Sequence, residues 1–352
     1  MKFLFPTCLM GMIVFFVAAA HAGGSENVSI YHDMCDASAA LAIDESHFIV
    51  ANDEDNVLRI YRLGQEFPVY KIDLSEFLRI EYDDKSPEAD FEGAARINDI
   101  YFFITSHGRD KEGRMRRNRH RFFALQIKID DKIKVNTIGR AYEFLMDDLV
   151  QVPQLQRVNL ADAYDRFDDK DKDLAPKDRG VNIEGLAPTA DDRGLLIGFR
   201  NPLPEGKAMI VEFFNPLQVL AGAERPSFGE AYFLDLNQRG VRSLDYLAAL
   251  QRHLIVAGST NGGLESELYL WNSGGESAEN IEQTNFGDIK KFNPEAVVQF
   301  ENNPRFLLLS DDGTVNLRDK DGDTCDCKDV SDDALKQFRG VWLSRQILHA
   351  TP

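Results

Sequence analysis

Three glutamates open three similar segments of the chain, and carboxylates repeated in this way can hold a cation. Glu92 opens EGAARINDIYFFITSHG, Glu184 opens EGLAPTADDRGLLIGFRNP, and Glu295 opens EAVVQFENNPRFLLLSDDG. Carboxylate oxygens are the ligands that Ca²⁺ and Mg²⁺ prefer, whereas Zn²⁺ sites are rich in nitrogen and sulfur. The three glutamates are therefore candidate ligands of Ca²⁺ or Mg²⁺, provided that the fold brings them together.

The same frame recurs twice without the glutamate. Ser38 opens SAALAIDESHFIVANDED, and Arg242 opens RSLDYLAALQRHLIVAGSTNGG. Three carboxylates in a confined space repel one another unless a cation joins them, Arg242 pairs with one of them, or some are protonated. The alternative to a metal site is that each glutamate accepts backbone N–H groups from a neighbouring unit and braces the fold. Arg242 is thus a candidate partner of the glutamates or of a ligand.

Polar residues follow the second apolar stretch of every unit and are candidates for ligand contacts. They are Asn52, Asp53 and Asp55; Ser106, His107 and Arg109; Arg200 and Asn201; Ser259, Thr260 and Asn261; and Asp311 and Asp312. Tight turns explain Asn261-Gly262 and Asp312-Gly313 most simply, because such turns require Asn, Asp and Gly. His107 and Arg200 are less easily explained by turns. Together with Arg109, they are predicted to contact a small polar ligand or a peptide.

Two charged segments allow both a functional and a structural interpretation. The basic loop 107–121 carries seven Lys and Arg residues, which suits an anionic ligand such as phosphate or a carboxylate. The simpler interpretation is a solvated loop whose positive charges balance those of the acidic stretch 165–178. The segment 319–327, DKDGDTCDC, has the alternating aspartates of a calcium loop but lacks the twelfth-position Glu and the flanking helices of an EF-hand.

The elements that must position these residues are short strands. The first unit reads ALAI, HFIVA, VLRIYRL and PVYKIDL, runs that are rich in β-branched and aromatic residues and bounded by turn residues. The units begin at 38, 92, 184, 242 and 295, and most intervals lie between 53 and 58 residues. Repeated four-stranded units predict an all-β fold, a β-propeller with five blades, with six blades as the alternative. The longer interval after Glu92 predicts a helical, charged insertion at approximately 145–177.

The two ends of the chain are predicted to share the last blade. The fifth unit lacks a fourth strand, whereas NVSIYHD at 27–33 has no unit of its own. Pairing of this N-terminal strand with the last blade would close the ring and remove an exposed edge. Cys35 would then lie near Cys325 and Cys327, and an oxidising compartment would permit a disulfide. Cys35–Cys327 is the predicted bridge and Cys35–Cys325 the alternative, while the odd count also allows three unpaired cysteines.

The first 22 residues have the pattern of a secretory signal peptide. Lys2 precedes an apolar run that ends in Ala20-His21-Ala22, a small-x-small cleavage site. We predict cleavage after Ala22, a periplasmic or secreted bacterial protein without a membrane span, and a single propeller domain over 23–352. Loss of Lys2 changes the formal charge from −18 to −19. Such acidity argues against nucleic acid as a partner and is compatible with a monomer.

Several segments, in this order along the chain, resemble a bacterial family of exported proteins of unknown function. They are CDASAALAI with VANDEDNVLRIYRL, EADFEGAA, TSHGRD with its basic loop, IEGLAP with GFRNP, and LLLSDDG ahead of FRGVWL. The resemblance covers nearly the whole chain after the leader and implies a β-propeller and export, but no substrate, reaction or cofactor. The EGLA-type element is also similar, over a short stretch, to the blade openings of calcium-dependent lactonases and phytase-like esterases.

Two functions from different classes fit these patterns. The first is an exported propeller that binds a small molecule or a protein across the mouth of the ring. It is favoured because the sequence has no GxSxG, HExxH, P-loop or dinucleotide motif and no nucleophile–base pair can be named. The alternative is a divalent-metal-dependent hydrolase of the lactonase or phosphoesterase type. Its three glutamates would hold the ion and activate water, with His107 or Arg109 assisting.

Overall fold

In the computed structural model, the protein is a ring of five antiparallel four-stranded sheets. The structure describes residues 28–81, 87–263, 265–281, 289 and 291–349. The prediction of an all-β propeller with five blades, rather than six, is therefore confirmed. The predicted signal peptide, residues 1–22, lies outside the described residues. Among the helices described, none is long and apolar enough to cross a membrane.

Strands of the first two blades follow one another along the chain after an initial strand, β1, at Val28–His32. Blade 1 contains β2 (Ala39–Ala42), β3 (His47–Ala51), β4 (Val57–Arg62) and β5 (Tyr70–Asp73). Blade 2 contains β6 (Phe91–Ile97), β7 (Ile100–Thr105), β8 (Phe122–Ile129) and β9 (Ile133–Tyr142). Three short helices come next, namely α1 (Leu145–Leu149), α2 (Pro153–Arg157) and α3 (Leu160–Ala163).

The remaining blades repeat this pattern. Blade 3 contains β10 (Asn182–Pro188), β11 (Leu195–Asn201), β12 (Ala208–Phe213), the helix α4 (Pro216–Leu220) and β13 (Phe228–Leu234). Blade 4 contains β14 (Gly240–Leu247), β15 (Arg252–Gly258), β16 (Ser266–Trp271) and β17 (Ala278–Asn280). Blade 5 contains β18 (Pro294–Val298) and β19 (Arg305–Ser310). A separate hairpin of β20 (Asn316–Arg318) and β21 (Thr324–Asp326) follows, and then β22 (Gln337–Ser344).

Both ends of the chain contribute to blade 5, whose strand order is β1–β22–β19–β18. β1 pairs antiparallel with β22, with Val28 opposite Val341. A disulfide joins Cys35, just after β1, to Cys327, just after the β20–β21 hairpin, with 5.9 Å between the two Cα atoms. The predicted bridge to Cys327 is therefore confirmed, and Cys325 is the free thiol among the described cysteines.

Apolar side chains pack between every pair of neighbouring sheets, including blades 5 and 1. At that junction, Phe48 and Tyr61 of blade 1 lie in one buried cluster with Leu307 and Phe338 of blade 5. The other four junctions hold clusters of the same kind. The first strand of each blade is its innermost strand, and β2, β6, β10, β14 and β18 contact one another in turn around the centre. Residues on these five strands are therefore placed to line a central channel.

The segment 145–177 lies over the junction of blades 2 and 3. Leu145, Leu149 and Leu155 of its helices are fully buried and extend the apolar cluster between these blades. Its charged part lies along the basic loop 107–121, because the backbone N–H of Met115 donates to the carbonyl of Asp169 at 3.0 Å. The two oppositely charged segments therefore pack together beside one mouth of the channel.

Candidate functional site

In four of the five units, the opening residue lies at a β-bulge on the innermost strand, whereas Ser38 immediately precedes β2. The pairing between the first and second strands of the blade shifts by one residue at Glu92, Glu184, Arg242 and Glu295. A bulge leaves the extra residue unpaired and re-aims its side chain. All four charged side chains line the central cavity as a result. The bulges thus place polar groups in the channel while the flanking strand residues continue to pack in the core.

The glycine that follows Glu92 and the one that follows Glu184 are required by close approach of the inner strands. A Cβ atom added at Gly93 would lie 2.8 Å from Cγ2 of Ile104, and one added at Gly185 would lie 2.7 Å from Cγ1 of Val241. Both distances are shorter than ordinary van der Waals contact. The repeated pairing of glutamate with a small residue therefore has two separate causes, a polar group for the channel and a close-packed backbone behind it.

Two of the three glutamates are paired with arginine. Arg242 Nη2 donates to Oε1 of Glu295, and Arg242 Nε lies 3.7 Å from Oε2 of Glu184. Arg200 Nη1 and Asn182 Nδ2 donate to the other oxygen of Glu184 at 2.6 Å and 2.7 Å. Burial acts to lower the pKa of Arg242, but the charges of Glu295 and Glu184 outweigh it and raise that pKa. Arg242 thus stays charged and neutralises the centre of the cluster.

Glu92 differs from the other two glutamates because no basic side chain pairs with it. It is 8% exposed, and its carboxylate makes no hydrogen bond or ion pair within the described part of the chain. Burial, followed by the charges of Glu184 and Asp90, raises the pKa of Glu92 well above its usual range. One oxygen of each glutamate, Glu92, Glu184 and Glu295, lies within 4.8 Å of the other two. The fold therefore brings the three predicted residues together.

A second acidic group lies in the same cavity, on loops of blades 1 and 5. Asp36 precedes β2, Asp53 and Glu54 follow β3, and Asp311 follows β19. Burial and the charge of Asp53 raise the pKa of Asp36 well above its usual range, and Asp36 also shares a hydrogen bond with Asp311. Burial, with the charge of Glu54 next, raises the pKa of Asp53 in the same direction. The loops at this mouth therefore crowd four carboxyl groups, of which Asp311 lies 3.8 Å from Nη2 of Arg242.

The cavity that contains both acidic groups has a volume of about 700 Å³. That volume is within the range of small-molecule sites, roughly 300–1,000 Å³. Its buried walls carry the glutamates, whereas Lys111, Lys177 and Lys328 line it with exposed side chains. The cavity thus holds buried carboxylates and buried arginines side by side and carries positive charge where it meets solvent.

Two residues predicted at the mouth have structural partners instead. His107 adopts a left-handed backbone with φ of 53°, is 1% exposed, and does not line this cavity. Its Nδ1 lies 2.8 Å from the carbonyl of Thr105, its ring packs against His120, and burial lowers its pKa to about 4. Arg109 lines the cavity, but its guanidinium donates to backbone carbonyls of the basic loop and of the 145–177 segment.

The other charged segments are also held mainly by internal contacts. In the basic loop, Arg119 pairs with Asp90 at 3.0 Å and with Glu88 at 2.6 Å. In the segment 319–327, the carboxylate of Asp319 accepts the backbone N–H groups of the second and fourth residues after it. That contact closes the turn of the β20–β21 hairpin, so the alternating aspartates have a turn function here.

A position two residues before the opener is polar in four of the five units, and the sequence pattern described above did not include it. Asn182 donates to Glu184, and Asn293 Nδ2 donates to Oδ2 of Asp311 at 2.9 Å. The signal that would have found this position is the repeat itself, extended upstream by two residues. The residues there are Asp36, Asp90, Asn182, Gly240 and Asn293.

Comparisons with known proteins agree with the fold. A family model described as "Protein of unknown function (DUF3616)" matches residues 36–135 and 163–302. No curated protein matches the chain significantly. Similar solved structures include glutaminyl cyclase from Myxococcus xanthus, with 10% identity over 90% of this chain and 96% of that chain and a TM-score of 0.42.

Two further solved structures are similar at the same level. Streptogramin B lyase is 11% identical over 90% of this chain and 98% of that chain, with a TM-score of 0.39. The β-propeller domain of Cps50 (Swd1) from Myceliophteria thermophila is 10% identical over 90% and 100% of the two chains, with a TM-score of 0.34. Likenesses this remote carry no argument about the site or the function.

Proposed function

This chain belongs to DUF3616, a family of proteins of unknown function, and we propose that it is a propeller that binds a small cationic ligand in its central channel. The observation that carries the proposal is the carboxylate of Glu92. It is buried in the cavity wall, faces two further glutamates, and has no donor or basic partner among the described residues. A positively charged nitrogen of a ligand would supply that partner.

The charge arrangement supports a ligand at Glu92 rather than at its neighbours. A buried carboxylate without a hydrogen-bond donor is costly, and the cost falls when a cation pairs with it. Arg242 already contacts Glu295, and Arg200 already donates to Glu184. Glu92 is therefore the carboxyl group of this cluster without an ion pair, and Oε2 of Glu184 beside it also lacks a donor.

The outer part of the cavity indicates what else the ligand carries. The exposed side chains of Lys111, Lys177 and Lys328 line the same cavity. A ligand whose amine reaches Glu92 would place its other end near these ammonium groups, which favour a carboxylate or a phosphate. The site thus fits a small zwitterion, with an amine or a guanidine at the inner end and an anionic group at the outer end.

Binding can be tested with simple probes, namely free arginine, free lysine and putrescine. At least one amino acid should raise the melting temperature and titrate with a measurable heat, more strongly than putrescine, which lacks the anionic group. Glu92→Gln should weaken that binding at least about tenfold, because charge-assisted hydrogen bonds contribute about 1.5–3 kcal/mol. The matched control is Glu301→Gln, which removes an exposed carboxylate at the opposite end of the channel. No shift with any probe, or equal binding by Glu92→Gln, would contradict the proposal.

A divalent-metal-dependent hydrolase is the second candidate, and the spacing of the glutamates favours it. Their oxygens lie within 4.8 Å of one another, and two oxygens bound to one Ca²⁺ at 2.3–2.6 Å are separated by at most roughly 5 Å. Such an ion would polarise a substrate oxygen or activate water. Against it, Arg242 occupies the space between two of the three carboxylates.

Metal analysis of the purified protein distinguishes this candidate from a metal-free site. A stoichiometric ion that is lost in Glu184→Ala, with a lower melting temperature after chelation, would support it and justify assays on lactones and phosphoesters. A protein without an ion and without any response to a chelator would exclude the metal-dependent enzyme and leave Glu184 and Glu295 as braces.

A further inference from the structure

Three members of the second acidic group, Asp36, Asp53 and Glu54, offer carboxylate oxygens within 4.8 Å of one another. Within the described ranges, none of these three side chains forms an ion pair with a lysine, an arginine or a histidine. This separates the group from the glutamate cluster, where Arg242 and Arg200 neutralise two of the members. Three close carboxylates without a basic partner repel one another strongly.

Two of the oxygens in this group are also buried without a donor. Asp36 is 4% exposed, and its Oδ1 atom receives no hydrogen bond. The Oδ1 atom of Asp53 is buried and lacks a donor in the same way. Buried polar atoms are nearly always satisfied in folded proteins, and those left over commonly indicate an ion or a water at the site. Both residues line the cavity, so the two unsatisfied oxygens are a second observation beside the clustering of the acids.

The backbone around the group is held in place before any ligand arrives. Asp36 follows Cys35, which is held in two ways. Its side chain forms the disulfide to Cys327, and its carbonyl accepts the N–H of Asp312 at 3.0 Å. The backbone of Gly313 presses against the carboxylate, since a Cβ atom there would lie 2.3 Å from Oδ1 of Asp36. A site whose ligands are fixed in advance loses less entropy on binding.

We propose that Asp36, Asp53 and Glu54 form a Ca²⁺ site. Hard oxygen ligands select Ca²⁺ or Mg²⁺, and three protein carboxylates in one group favour Ca²⁺, because Mg²⁺ usually keeps several waters and is bound through only one or two carboxylates. Glu54 is exposed, so water can complete the coordination shell. The ion would join the loop before β2 to the loop after β3. This site does not depend on the function proposed for Glu92.

Calcium titration tests the site, with calcium chloride as the probe and both calorimetry and thermal melting as readouts. Wild-type protein should bind Ca²⁺ and melt at a higher temperature with it. Glu54→Gln should weaken Ca²⁺ binding at least about tenfold, because affinity follows the number of charged ligands. Its position on the surface keeps the fold intact, and Asp53→Asn is the second variant. Glu301→Gln, which changes an exposed carboxylate at the opposite end of the channel, should bind Ca²⁺ within about twofold of wild type.

Three results would overturn the assignment. Wild-type protein that shows neither heat nor a melting shift with Ca²⁺ has no such site. Calcium binding that survives Glu54→Gln and Asp53→Asn but is lost in Glu92→Gln would place the ion on the glutamates. Tighter binding of Mg²⁺ than of Ca²⁺ would contradict the identity of the ion. Amine binding that is absent while Ca²⁺ binding remains would contradict the proposed function alone.

Discussion

Removal of the Cys35–Cys327 disulfide should destabilise the protein by several kcal/mol without changing its fold. The bridge joins residues 292 positions apart, so it restrains almost the whole unfolded chain. In the folded state, β1 remains paired with β22, and the apolar cluster between blades 5 and 1 remains buried after the bond is cut. The expected effect therefore arises mainly in the unfolded chain, which gains freedom when the bridge is absent.

The magnitude follows from the length of the closed loop. Closure of a loop of 292 residues removes about 19 cal/mol/K of chain entropy, which is about 5.7 kcal/mol at 25 °C. Native disulfides commonly contribute less than this limit, because the unfolded chain is more compact than a random coil. We expect the free energy of unfolding to fall by about 2–5 kcal/mol.

Guanidinium unfolding provides the assay, with intact protein compared with the Cys35→Ala/Cys327→Ala double variant. Both proteins should carry Cys325→Ala, so that a free thiol cannot exchange with the bridge. Cys325→Ala alone should change the free energy of unfolding by less than about 0.5 kcal/mol, as surface substitutions usually do. A loss below about 1 kcal/mol in the double variant would refute the reasoning from loop length.

Three further predictions concern the packing and the charges of the channel. Gly185→Ala should lower the free energy of unfolding by roughly 1–3 kcal/mol, because the Cβ atom of the alanine would lie 2.7 Å from Cγ1 of Val241. An unchanged melting temperature would show that the inner strands have room to separate. Arg242→Met should lower the free energy of unfolding by about 3–5 kcal/mol, since it leaves buried Glu295 without its cation and Glu184 with Arg200 alone. A loss below about 1 kcal/mol would indicate that Glu295 is protonated. Burial lowers the pKa of His253 to about 4 from an ordinary value of 6.5, so the unfolded state binds more protons between these values. The free energy of unfolding should therefore fall by about 3 kcal/mol through His253 as the pH is lowered from 6.5 to 4. His253→Gln should reduce that pH slope in unfolding titrations.

The blade pattern could be predicted from sequence because its signals are local and repeated. Each opener precedes a strand, a turn and a second strand, and these signals lie within about twenty residues of one another. The openers at 92, 184, 242 and 295 do fall on the innermost strands. The long interval after Glu92 did not hide a sixth blade, because its apolar residues have helical spacing and pack against blades 2 and 3.

The partners within the site could not be predicted, because they depend on contacts between distant residues. No local pattern shows that Arg242 contacts Glu184 on one side and Glu295 on the other, leaving Glu92 without a partner. His107 follows β7 as the polar pattern predicts, but its left-handed backbone turns the ring away from the cavity. A backbone reversal of this kind has no signature in the residue types around it.

The shared fifth blade makes closure of the ring depend on the order in which its strands are synthesised. β22 spans Gln337–Ser344, so the partner of β1 is made after all the other described strands of the propeller. Until then, four sheets can form, but the fifth has only β18 and β19, and their unpaired edge is open to association with other chains. A chain truncated before Gln337 should therefore aggregate even though four blades are complete. Only a chain that includes β22 can cover the edges of its own fifth sheet.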